Sequence, residues 1–122
     1  MNIEKSRQAV IIMLRETMEN EIRWNISPPD HSKYFLEIGE SILGNIYCTV
    51  INGKNIRLFQ YKFKGETHYR LEIYDINNDS TLWIFPPTDS IRNLYDQVLR
   101  QFSGVEEFLE EFLEAYDNKT NI

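Results

Sequence analysis

Cysteine is nearly absent from this chain: Cys48 is the only one in 122 residues, so no disulfide can close within it. Stability must come from packing, and a reducing cytoplasm is the expected location. Long apolar runs are missing too. The longest, Ala9-Val10-Ile11-Ile12-Met13-Leu14, has six residues where a membrane span needs about 20, so no membrane partner is expected. Met1 to Arg7 mixes charges of both signs and lacks the layout of a signal peptide. Basic excess is absent as well: 13 Lys and Arg stand against 19 Asp and Glu, with a sequence pI near 4.9. Phosphate contact needs a basic footprint, which disfavours direct nucleic-acid binding.

Catalytic signatures are equally scarce. The sequence holds no glycine-rich phosphate loop, no Gly-x-Ser-x-Gly and no HExxH. His31 lies in a proline-rich loop and His68 at a strand start, with no His, Cys or carboxylate at metal-ligand spacing, so each reads as a surface histidine. Cys48 alternates with Ile46 and Val50 and reads as a small buried apolar residue rather than a nucleophile. Glu37 and Glu40 near Gly39, or His68, Arg70 and Glu72 on one strand face, could form an acid–base group, but exposed strand faces produce such sets routinely. No catalytic residue, metal site or cofactor is assigned.

What is present is ample apolar material, 42% of residues, in a chain of single-domain size. One domain over 1–122 is expected, with 118–122 frayed. Ile11, Leu14, Met18 and Ile22 recur at spacings of three and four, with Val10 and Met13 beside them, predicting an amphipathic helix over 4–22. Pro28-Pro29-Asp30 then interrupts regular structure. Ile46, Cys48 and Val50 alternate with Tyr47, Thr49 and Ile51, and Asn52-Gly53 supplies a type I′ turn into Ile56–Phe63. Lys64-Gly65-Glu66 and Asn77-Asn78-Asp79-Ser80 turn the chain into two further strands, around Tyr69–Tyr74 and Thr81–Phe85. These four strands form an antiparallel meander. Residues 34–42 read either as a fifth strand or as a helix.

After Pro86-Pro87, Thr88 is placed to cap a helix with Ile91, Leu94, Tyr95, Val98, Leu99 and Phe102 on one face. Ser103 and Glu106 match a capping box for a last helix, whose Val105, Phe108, Leu109, Phe112, Leu113 and Tyr116 keep the 3.6 period. The expected fold is therefore α+β: an N-terminal helix, a meander of four to five strands, and two C-terminal helices packed on the sheet. Several strands are apolar on both faces, so either the N-terminal helix covers the second face or a patch of rings is left open for a partner.

The most specific feature is the placement of charge. Glu106, Glu107, Glu110, Glu111, Glu114 and Asp117 crowd the last helix, and removing these six acids from the total leaves 13 basic against 13 acidic residues. Like charges three and four residues apart oppose each other by about 0.2–0.5 kcal/mol per pair, so helix stability does not explain the pattern. A solvated face that keeps the protein soluble does, and so does a docking face for a basic partner. The leading expectation is a non-enzymatic protein-binding domain, such as a small inhibitor or immunity-type protein, with Trp24, Tyr61, Tyr74 or Trp83 as anchoring rings. The alternative is an apolar pocket between helix and curved sheet that binds or turns over a small molecule, the architecture of cystatin-like and nuclear-transport-factor-like folds. A homodimer through the second sheet face is a third expectation.

Overall fold

The structure, a computed structural model, describes residues 3–27 and 36–120. Along the chain run α1 (Ile3–Met18), β1 (Asn25–Ile26), β2 (Ser41–Ile51), β3 (Lys54–Phe63), β4 (Glu66–Asp75), β5 (Ser80–Ile84), α2 (Asp89–Ser103) and α3 (Val105–Thr120). The strands form one antiparallel sheet in the order β1-β2-β3-β4-β5. This is the α+β fold with an N-terminal helix, an antiparallel sheet and two C-terminal helices that the sequence predicts. The fifth strand is β1, beside Tyr47 and Cys48 of β2. The segment read as strand or helix over 34–42 lies partly outside the described residues. Residues 36–40 form neither element, and Ile42 belongs to β2.

Turn chemistry sets the register of the meander. Asn52 and Gly53 take φ of 50° and 76°, the two left-handed residues of a type I′ turn, which matches the right-handed twist of the strands it joins. Lys64 and Gly65 repeat this geometry at the β3–β4 turn. The resulting register puts Tyr47, Leu58 and Leu71 in line on the face that meets α2.

The core lies between that face and α2. Ile91, Leu94, Tyr95 and Val98 are buried at helical spacing, and Leu58 and Leu71 meet them from the sheet. Tyr95 packs edge-on against Tyr47 and Tyr69, with centroids 5.9 and 5.3 Å away. Leu58, Leu71, Leu94 and Val98 are fully enclosed, so side chains fill the space between helix and sheet.

α1 differs from expectation in extent and in rotation. It ends at Met18, where Asn20 adopts a positive φ, and Ile22 is buried beyond its end. Its buried residues are Val10, Met13 and Thr17, whereas Ile11 and Met18 of the expected stripe are exposed. The buried face is thus offset by one position. Thr17 belongs to it because its Oγ1 accepts a hydrogen bond from the Trp24 indole at 3.1 Å. α1 packs chiefly on α2 rather than on the second sheet face.

The last helix differs more. α2 alone of the two C-terminal helices packs on the sheet, and α3 contacts chiefly α2. Thr88 occupies the N-cap position of α2, but its side chain makes no capping hydrogen bond. The expected capping box is also absent: Ser103 is the last residue of α2 and donates to the Arg100 carbonyl at 3.0 Å. Gly104 takes the left-handed conformation that ends one helix and lets the next start at Val105.

Candidate functional site

α3 has little cover from the other described elements and contacts chiefly α2. Every described side chain from Val105 to Lys119 is exposed, including the apolar ones, which range from 39% for Val105 to 62% for Phe108. At about 100° per residue the side chains from Val105 to Asp117 separate into two arcs, and Lys119 of the last turn falls within the apolar one. Val105, Phe108, Leu109, Phe112, Leu113, Ala115 and Tyr116 occupy one arc of roughly 160°, and the six acids occupy the opposite one. Glu106 and Asp117 border one edge of the apolar arc and Glu111 the other, while Glu107 and Glu114 lie directly opposite it. Phe108 and Phe112, one turn apart, stack at a centroid distance of 5.9 Å. Among the described residues, Glu106, Glu107, Glu110, Glu111 and Glu114 form no salt bridge.

The four candidate anchoring rings do not join this helix. Trp24 and Tyr74 are core residues, 4% and 8% exposed, and offer a partner little surface in the folded molecule. Trp24 is fixed by the Thr17 bond and by a hydrogen bond from its backbone N–H to Gln101 at 2.9 Å. Tyr61 is half-buried, stacked on His68 at 5.2 Å and under the Arg70 guanidinium at 4.5 Å. Trp83 is half-buried, edge-on to Phe85 at 4.6 Å and against the core.

Among the described residues, the second face of the sheet carries neither a helix nor a simple patch of rings; buried charge lies there. Arg57 of β3 pairs with Glu72 of β4, its register partner, through Nε and Oε1. Its Nη1 donates to Asp79 at 2.7 Å, and the Thr81 hydroxyl lies 3.2 Å from both the guanidinium and the carboxylate. The Tyr74 ring stacks on the same guanidinium, 4.4 Å from its centroid. A second pair, Arg70 with Glu40 at 2.7 Å, lies beside Tyr61 and Phe59. His68, Arg70 and Glu72, which the sequence places on one strand face, therefore divide between two ion pairs and a ring stack. The sequence held no signal for the Arg57 network, because Arg57 sits between Ile56 and Leu58 in an otherwise apolar stretch.

Cys48 is half-buried, and burial pushes its thiol up, opposed in part by a hydrogen bond with Tyr74, so little thiolate forms there. An open cleft of about 280 Å³ lies beside the first turn of α2, lined by Tyr61, His68, Tyr69, Thr88, Asp89 and Arg92. Its two permanent charges, on Asp89 and Arg92, have opposite sign. No group of three or more metal-ligating side chains occurs among the described residues, and none of their helices is long and apolar enough to cross a membrane. His31 lies outside the described residues. No protein-family model, curated protein or solved structure matches this chain.

Proposed function

We propose that this protein is a non-enzymatic binding domain that docks on a basic surface of another protein through α3, as a small inhibitor or immunity-type protein does. One observation carries the reading: five glutamates of α3 project from an exposed helix and, among the described residues, form no salt bridge that would neutralise them. Such a cluster is not favoured by the helix itself, since neighbouring like charges repel and Glu114 and Asp117 lie near the negative end of the helix dipole. A basic surface would relieve this repulsion and be steered toward the helix over a Debye length of about 8 Å at physiological salt.

The test begins with a partner recovered from native cells and identified by mass spectrometry. Reversal of Glu107, Glu110, Glu111 and Glu114 to Lys should then lower the association rate by about tenfold or more at low salt, with the difference shrinking as salt is raised. The melting temperature should stay constant or rise. Unchanged association at low salt would remove the electrostatic basis of the reading.

A further inference from the structure

The acids occupy only one side of α3, and the other side poses a separate physical problem. Phe108, Leu109, Phe112 and Leu113 are between 44% and 62% exposed, a continuous apolar stripe along a helix of about 24 Å. Single exposed apolar residues are ordinary, but a contiguous row that includes two stacked phenylalanines marks a contact surface.

We infer, resting on the protein-binding reading above, that this stripe inserts into an apolar groove of the partner whose rims carry Lys or Arg. Helices recognised in grooves present anchors on successive turns of one face, as Phe108, Phe112 and their neighbours Leu109 and Leu113 do. The charge on α3 specifies the rims. Glu106 and Asp117 flank the stripe on one side and Glu111 on the other, so both walls of a receiving groove meet carboxylates. An acidic or neutral groove would bury Glu106 and Glu111 unmatched. A second copy of this chain fits poorly, because a two-fold axis would bring an identical six-acid helix alongside. Outside α3, its 12 basic and 13 acidic residues give no net positive rim. In this arrangement the groove-facing rings hold the complex together, and Glu107 and Glu114, on the far side, act on approach.

The experiment uses the full-length protein with a photo-cross-linking phenylalanine analogue at Leu113 and, in a separate variant, at Glu114. Each variant is irradiated in native cells, and the linked peptides are sequenced by mass spectrometry. The expected result is stronger linkage from Leu113 than from Glu114, to a protein other than this chain, at a segment combining apolar residues with Lys or Arg. Phe112→Asp should then lower affinity for that protein about thirtyfold or more, the range of a hot-spot anchor, with an unchanged melting temperature. Linkage from Leu113 to a second copy would overturn the inference in favour of an interface between copies. Equal or stronger linkage from Glu114 would overturn the groove and leave the basic-surface reading standing. Linkage from neither position would overturn both.

Discussion

Arg57 and Glu72 face each other across β3 and β4, and their ion pair is sealed from water, with side chains 3% and 0% exposed. Isolated buried charges are expensive, so this pair persists only because its remaining hydrogen-bonding capacity is met. Asp79 and Thr81 supply those partners from the β4–β5 turn and the start of β5, and Tyr74 covers the guanidinium. The network therefore ties the β4–β5 turn back onto the centre of the sheet.

Removing one side of the pair should be more damaging than replacing both. Arg57→Met leaves the Glu72 and Asp79 carboxylates close together without their shared cation and is expected to destabilise the fold by about 3–5 kcal/mol. Glu72→Gln keeps the Arg57 contact with Asp79 and should lose less, about 1–3 kcal/mol. The double variant Arg57→Met, Glu72→Leu should recover part of the loss of Arg57→Met. Urea denaturation of the three proteins decides this, and a double variant weaker than both single ones would contradict it.

Burial pushes the Glu72 carboxyl above its ordinary value of 4.5, and Arg57 and Thr81 offset this only in part. The folded state thus keeps its proton to higher pH than the unfolded chain does. A raised folded pKa gives stability that is fully present below the unfolded value and is lost as pH climbs through the folded one. The stability difference between wild type and Glu72→Gln should therefore narrow as pH rises above about 4.5. Denaturation midpoints across that range measure it, and a gap that widens would show that attraction to Arg57 dominates instead.

Leucines on α2 and α3 should respond oppositely to truncation, although both sit on helical apolar stripes. Leu94→Ala opens a cavity in a filled core and should cost about 2–5 kcal/mol. Leu113→Ala removes a side chain that is 59% exposed and should change stability by no more than about 0.5 kcal/mol. Thermal melts of the isolated protein separate the two; a large loss at Leu113 would mean that α3 is packed in solution.

Thr17→Val is nearly isosteric but removes the acceptor for the buried Trp24 indole. An unsatisfied buried donor costs about 1–3 kcal/mol, and Thr17→Ser, which keeps the oxygen, should lose less. Chemical denaturation followed by tryptophan fluorescence reads both the stability and the changed surroundings of the ring.

Local chemistry was legible wherever a residue constrains its own backbone. Asn52-Gly53 and the glycine of Lys64-Gly65 mark turns because asparagine and glycine accept positive φ, and both sites adopt it. The α2 stripe of Ile91, Leu94, Tyr95 and Val98 is legible in the spacing because all four share one face, and that face is buried. The α1 stripe was less secure: its apolar residues spread around more than one face, and the indole of Trp24 drew Thr17 inward while Ile11 and Met18 were left out. Of the rings proposed as anchors, Trp24 and Tyr74 went to the core, because side-chain type alone does not distinguish a ring that packs within the molecule from one that offers itself to a partner.

The sequence by itself determined the three helices, the four long strands and their order, and the concentration of six acids on the last helix, since periodicity, turn residues and charge are properties of neighbours along the chain. Tertiary structure alone decided which apolar stripes are covered. The stripes of α2 and α3 have the same period, yet one packs on the sheet and the other stays exposed on a helix that contacts chiefly α2. Burial depends on what the rest of the chain brings to a surface. Helical spacing shows that a face exists, and only the arrangement of distant residues settles whether the molecule covers that face itself.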